Sequence, residues 1–244
     1  MVKGDSLEET SEVIIEFSPV HSLVADLPRF REAISVFKRY NVGADVLLDL
    51  GCGDGSLTVE IAKVVGASET YCVDIDVNAL GVVSARGLKT FVTDLSRDRI
   101  PLSDNSVDLA VLLEVIEHLL NPDNMLREVR RVLREGGYLL ITTPNLASWV
   151  NRLVMLLGYQ PYNCEVSTEI LAGVPWRGRT FAKPAGHIRP FTLRALKELL
   201  TYHGFKVIVV KGAPVVEPRE LRLLDSILSL KPSLARRLIV LARK

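Results

Sequence analysis

Short unbroken apolar runs alternate along this chain with longer stretches in which apolar residues recur every three or four positions. The first texture marks strands buried on both faces and the second marks helices with one buried stripe. Apolar runs lie at residues 46–50, 70–76, 90–94, 205–210 and 238–242, with two more around Val107-Asp108-Leu109-Ala110-Val111-Leu112-Leu113 and before Asn145. Helical spacing covers 23–40, 57–65, 77–86, 121–134, 146–157 and 192–203. Asn121-Pro122-Asp123 supplies a cap and a first-turn proline for the fourth of these helices, and Gly136-Gly137 is expected to end it. Strand and helix in alternation predict a parallel, doubly wound α/β sheet. The alternation breaks only at 158–186, an irregular stretch rich in Pro, Gly and Trp, and no internal repeat interrupts it.

The first strand runs into Asp49-Leu50-Gly51-Cys52-Gly53-Asp54-Gly55, an acid followed by three glycines at alternate positions. Glycines after a strand let backbone approach a ligand where a Cβ would collide. The dinucleotide fingerprint uses the same physics with G-x-G-x-x-G spacing, so the G-x-G-x-G found here argues against a nicotinamide oxidoreductase. The second strand carries Asp74, 25 residues after Asp49, where a carboxylate can accept the two hydroxyl protons of a ribose, and the third leads to Asp94. A lone strand-end acid commonly caps the next helix. Three in step describe one edge of a sheet that holds a nucleoside.

These segments, with Ser106-Val107-Asp108-Leu109-Ala110-Val111-Leu112-Leu113-Glu114-Val115-Ile116-Glu117-His118-Leu119 and Leu133-Arg134-Glu135-Gly136-Gly137-Tyr138, resemble the ordered motifs of class I S-adenosylmethionine-dependent methyltransferases over residues 44–145. The resemblance implies a Rossmann-like seven-stranded sheet of order 3-2-1-4-5-7-6, mostly parallel, with the last strand antiparallel. It also implies a single methyltransferase domain over 1–244, with a helical cap at 1–43 and an acceptor-side insert at 146–190. In the cofactor site it places Asp49, Gly51, Cys52, Gly53 and Gly55 around the methionine part, Asp74 with Ile75 at the ribose, Asp94 with Leu95 at the adenine, and Glu114 beside them.

Composition narrows the picture further. The 244 residues are 48% hydrophobic, enough for a full core, and a net charge of +1 with a pI near 7.7 gives no global case for nucleic acid. Cys52, Cys72 and Cys164 lack metal-ligand spacing, and the first two read as small core fillers in a reducing compartment. Residues 1–12 are polar, acidic and expected to be mobile, and no window reaches membrane-spanning length, so the expected location is the cytoplasm. Leucines among Lys and Arg after residue 219, together with 153–157, would suit either packing, a second copy of the chain or an anionic membrane surface.

Loops at the carboxyl ends of the fourth and fifth strands face the cofactor in such a sheet. Glu114, Glu117 and His118 gather there, joined by Asn145 and by His187 in Gly186-His187-Ile188-Arg189. Three readings stand open. His118 or His187, with Glu117, is a general base for an acceptor hydroxyl; Glu114, Glu117, His118 and His187 bind a divalent cation; or these residues only anchor local backbone. The Glu-x-x-Glu-His string resembles ubiquinone-pathway O-methyltransferases and small-RNA 3′-terminal ribose 2′-O-methyltransferases, in which such residues are metal ligands. His21 and His203 read as structural or surface residues. Trp149, Tyr159, Tyr162, Trp176 and Phe181 offer an apolar wall or the insert's own small core. Arg177, Arg179, Lys183 and Arg189 offer contacts to an anionic acceptor.

The expected activity is methyl transfer from S-adenosylmethionine to a hydroxyl, with an amine second, of a small molecule or glycan-like metabolite, by a monomer or homodimer. RNA 2′-O-methylation is disfavoured by the lack of a basic stripe. A non-catalytic S-adenosylmethionine-binding subunit is the remaining alternative.

Overall fold

The computed structural model describes residues 28–175, 183–215 and 219–244. The acidic segment 1–12, His21, residues 23–27 of the first expected helix, Trp176, Arg177, Arg179 and Phe181 lie outside the described residues. A first helix, α1 (Pro28–Arg39), precedes the strand-helix units β1 (Val46–Leu50), α2 (Ser56–Val65), β2 (Glu69–Asp74), α3 (Val77–Ala85) and β3 (Lys89–Val92). After β4 (Val107–Leu113), a single 3-10 turn (Ile116–His118) leads to α4 (Pro122–Val132) and β5 (Leu133–Pro144). The remainder comprises α5 (Trp149–Leu156), α6 (Leu193–Tyr202), β6 (Lys206–Ala213), a 3-10 turn (Arg219–Leu221), α7 (Arg222–Ser229) and β7 (Arg237–Arg243).

The seven strands form one sheet of order β3-β2-β1-β4-β5-β7-β6. β7 is antiparallel to both β5 and β6, and the other pairs are parallel, as expected. Alternation along the central strands builds two cores. Leu47, Leu109, Val111 and Leu140 pack under Phe30, Phe37 and Ile61 on one face. Leu48, Leu50, Ala110 and Leu112 meet Met125, Leu126, Val129 and Leu196 on the other.

The helix starts obey their caps. Asp76 accepts from the Asn78 and Ala79 amides, Asn121 from Asn124, and Thr192 from Ala195. One stop signal worked differently from expectation. α4 already ends at Val132, with Leu133 in extended geometry, and Gly136-Gly137 instead lies within β5. There Gly136 takes φ +77°, where the pairing with β4 jumps from Val107↔Leu133 to Leu109↔Tyr138. A Cβ on Gly137 would stand 2.9 Å from the Arg134 carbonyl oxygen, so this pair permits a strand irregularity.

α7 is inside out: it buries Asp225 and Ser229 and exposes Leu223, Leu224 and Ile227. Asp225 accepts hydrogen bonds from Trp149 Nε1 at 2.7 Å and from the Val215 amide at 2.6 Å, tying α7 to the start of α5 and to the chain after β6. Trp149 is therefore held as a structural strut. Asp225→Ala would leave both donors unsatisfied, a cost of about 3 kcal/mol. The thermal midpoint measured by circular dichroism should fall by about 10 °C; an unchanged midpoint would show that the strut contributes nothing.

Candidate active site

The loop after β1 is shaped by its glycines and by β2. Gly51 takes φ +75°, its amide donates to the Val73 carbonyl at 2.7 Å, and a Cβ there would lie 2.4 Å from Val115 Cγ2. Only glycine fits between this backbone and the chain leaving β4. Gly53, at φ +54°, has nothing within 4 Å of a Cβ position, so its backbone borders open space. The Asp74 carboxylate accepts from the Gly53 amide at 2.9 Å through Oδ2 and from the Asp76 amide at 3.0 Å through Oδ1. It organises the glycine loop and the turn into α3 together. Ile75 beside it and Val92 at the end of β3 leave about 60% of their surface bare (64% and 60%), an apolar shelf at the rim of this loop.

The three expected strand-end acids do not act alike. Asp49 is buried inside β1, where Thr58 Oγ1 donates to its Oδ2 at 2.6 Å, and burial raises its pKa to about 7. Asp94 lies beyond the end of β3, accepts from the Ser96 amide at 2.9 Å and pairs with Arg97 at 3.1 Å. Leu95 is buried against the core. Cys72 is fully buried and Cys52 half-buried, both as free thiols.

At the end of β4 the chain turns sharply. Glu114 adopts φ +60°, uncommon for a residue with a side chain, and a feature that concentrates at functional sites. Thr142 Oγ1 donates to its Oε1 at 3.0 Å, and Arg237 Nε lies 2.8 Å from its Oε2. That arginine nitrogen is not aligned as a hydrogen bond, so the contact is charge pairing. Arg29 in α1 shares this field: burial lowers its pKa while Glu114 pulls it up.

The turn then delivers Glu117 and His118, and three clamps bring the chain returning from the insert onto them. The Ile188 and Arg189 amides both donate to the Glu117 carbonyl at 2.9 Å, His118 Nδ1 meets the Gly186 carbonyl at 3.0 Å, and the Arg189 guanidinium donates to the Leu120 carbonyl. The His118 and His187 rings stack with centroids 5.0 Å apart. One ligating atom each from Glu117, His118 and His187 lies within 4.8 Å of the others. Glu114 is not in this group and is engaged with Thr142 and Arg237 instead.

Protonation follows from the partners. A carbonyl accepts, so His118 Nδ1 carries its hydrogen; His187 Nδ1 donates to Glu165 Oε1 at 2.9 Å for the same reason. Both rings, when neutral, keep the Nε2 lone pair free. Burial lowers the His187 pKa, with Glu165 opposing, which favours that neutral form. Glu117 uses Oε2 to accept from Thr143 Oγ1 at 2.9 Å, while buried Oε1 has no hydrogen-bond partner. Burial, helped by Glu114, raises the Glu117 pKa to about 7.

That elevation has a stability consequence. Between its ordinary pKa and 7 the folded state binds the Glu117 proton and the unfolded state does not, so the stability from this proton is full below about pH 4.5 and lost as pH rises through 7. From pH 5 to 7.5, the metal-free protein should lose on the order of 2 kcal/mol relative to Glu117→Gln. Urea unfolding of both proteins at the two pH values measures the difference, and parallel profiles would contradict the assignment.

Glu165 escaped sequence reasoning. It lies in the irregular insert, yet its carboxylate also takes the Gly186 and His187 amides at 2.9 and 2.7 Å, making it the organiser of the returning segment. No periodicity marks such a residue. Asn145, by contrast, is fully buried: its amide group clips the Ser233 and Ala235 carbonyls, and its Oδ1 accepts from the Ala147 amide, so it holds the α5 entry and faces no acceptor. Arg189 is likewise spent on Leu120, and His203 pairs with Asp123 at 2.7 Å. Beyond His187 lies a cavity of about 240 Å³ whose walls include Asn151, Tyr162, Glu165, Lys183 and Arg237.

Residues 22–210 match the family model described as a methyltransferase domain. The chain belongs to this methyltransferase family. It is 39% identical over 99 residues to a probable S-adenosylmethionine-dependent methyltransferase of Mycobacterium tuberculosis, covering 41% of this chain and 35% of that protein. It is 31% identical over 103 residues to a malonyl-[acyl-carrier protein] O-methyltransferase of a Marinomonas species, covering 41% of this chain and 38% of that one. The match thus spans little more than a third of these relatives' length. An S-adenosylmethionine-dependent methyltransferase structure from Mesorhizobium loti superposes with a TM-score of 0.61 at 20% identity, over 89% of this chain and 98% of that one. At that identity the likeness establishes the Rossmann-like methyltransferase fold.

Proposed function

We propose that this methyltransferase binds S-adenosylmethionine along the carboxyl ends of β1 to β3 and methylates an oxygen of a compact polar acceptor beside a divalent cation held by Glu117, His118 and His187. The cofactor half rests on family membership and on fit: open space over Gly53, the Asp74 carboxylate at its edge and the bare Ile75 shelf suit a methionine tail, a ribose diol and an adenine in turn. Asp94 and Leu95 continue that edge.

The observation that carries the acceptor half is one ligating atom each from Glu117, His118 and His187 within 4.8 Å of the others, next to a buried Glu117 Oε1 that has no hydrogen-bond partner. Such a cluster calls for a proton or a cation. Glu165 behind His187 fixes the ring's tautomer and orientation, the arrangement that commonly supports a metal-bound histidine. A divalent cation, when bound, supplies a lowered pKa for an acceptor hydroxyl. The chain's own part is positioning and exclusion of water, which suffices for much of methyl transfer because the sulfonium is already activated. The adjoining cavity, with Lys183, Arg237 and Asn151, suits a small acceptor carrying oxygen or negative charge.

A second reading is favoured by one contact: with no cation, His187 oriented by Glu165 can take the acceptor proton itself. Calorimetric titration separates the two. Chelator-treated protein should bind S-adenosylhomocysteine at micromolar concentration and NAD not at all, and should then give a separate heat with manganese or zinc that His118→Ala abolishes. Binding of S-adenosylhomocysteine without any metal heat leaves the His187 reading; no binding of it refutes the cofactor assignment.

A further inference from the structure

We infer that α5 and α7 together form a docking face for an anionic lipid bilayer. Both helices turn large aliphatic side chains outward. On α5 and the residue after it, Leu153, Met155, Leu156 and Leu157 are exposed, Leu156 by 83%. On α7 and its end the same holds for Leu223, Ile227 and Leu230, the first and last by 75% and 85%. The Trp149–Asp225 hydrogen bond, the Trp149 amide on the Leu234 carbonyl and Arg152 on the Ser233 carbonyl hold the two elements side by side.

An amphipathic helix ordinarily buries its apolar face. α7 does the reverse, and its buried polar residue Asp225 is the one that fastens it in this orientation. The outward leucines are thus fixed by a specific contact, and bare aliphatic side chains gathered on two tethered helices mark a place of association.

Charge decides the partner. Along 149–160 and 220–231, the exposed charged side chains are Arg152, Glu220, Arg222 and Lys231, three cations to one anion, while Asp225 is buried. Two copies of the chain meeting through this face about a two-fold axis would gather six cations against two anions around one apolar patch, a net repulsion. Anionic headgroups around a shallow apolar insertion satisfy both features at once. α5 also contributes Val150 and Asn151 to the cavity beyond His187, which would place that cavity directly behind the membrane face.

Flotation of the full chain with vesicles of phosphatidylcholine alone or mixed with phosphatidylglycerol tests this. Binding is expected to the mixed vesicles, to weaken with salt, and to be slight on phosphatidylcholine alone. Removing two cations in Arg222→Gln/Lys231→Gln should lower partitioning about tenfold or more. Leu156→Gln/Leu230→Gln should abolish it, with thermal midpoint and S-adenosylhomocysteine affinity unchanged, since both side chains face solvent. No binding to either vesicle would overturn the proposal, as would equal binding to both. A stable dimer that dissociates in Leu156→Gln/Leu230→Gln and ignores vesicles would assign the face to a second copy instead.

Discussion

Asp74→Ala is expected to weaken S-adenosylhomocysteine binding by about 100-fold or more. A charge-assisted hydrogen bond contributes about 1.5–3 kcal/mol, and a ribose diol offers two of them to one carboxylate. Asp74 also serves the protein's own backbone, since Gly53 and Asp76 both donate to it. Alanine would release the loop as well as the ligand. Asp74→Asn divides these contributions: it keeps an oxygen for one amide and loses the charge, so it should retain more affinity than alanine while remaining well below the wild type. Calorimetry on the three proteins gives the comparison. Equal affinity in all three would remove Asp74 from the cofactor site and leave it as a loop organiser only.

Much of this was readable before any coordinates. Continuous apolar runs made the parallel, doubly wound class legible, whereas the strand order and the antiparallel last strand came from the resemblance to class I methyltransferases. The same runs hid the division of labour among the acids. Asp49 sits one residue before the strand end, which in a pleated strand turns its side chain inward to Thr58, and no composition signal separates that from a ligand-facing carboxylate. Asp76, two residues past Asp74, proved to be the helix cap. The sequence offers His118 and His187 as candidates, but their approach depends on Glu165 and on the amides of Ile188 and Arg189 meeting the Glu117 carbonyl. Those are contacts between distant loops, where neither helical nor strand periodicity carries information. The helix α7 stays hidden for the same reason: the sequence reads as a connecting segment there, its leucines suit packing, a second copy or a membrane alike, and only the burial of Asp225 shows which way the helix faces.

Glu117→Gln should have the largest effect on the acceptor side: cation affinity reduced by more than 100-fold and turnover reduced with it, while S-adenosylhomocysteine binds within about twofold of the wild type. The magnitude follows from the rule that orienting partners behind a metal ligand are alone worth about 10- to 100-fold, so a ligand itself must be worth more. Glutamine keeps the volume and an oxygen for Thr143 Oγ1, and its amide supplies donors where the wild type has only acceptors, so the fold should survive. Glu165→Gln provides the graded comparison. It leaves all three candidate ligands in place but loosens the tautomer of His187, so its cation affinity should fall by about 10- to 100-fold. Acidity supplies a further check, because Glu117 must surrender its proton, held up to about pH 7, before it can ligate. Cation affinity of the wild type should therefore drop steeply between pH 7.5 and 6. If Glu117→Gln retained both cation and turnover, the cluster would be structural; if it lost neither turnover nor its pH profile while Glu165→Gln lost both, the proton acceptor would be His187 acting without metal.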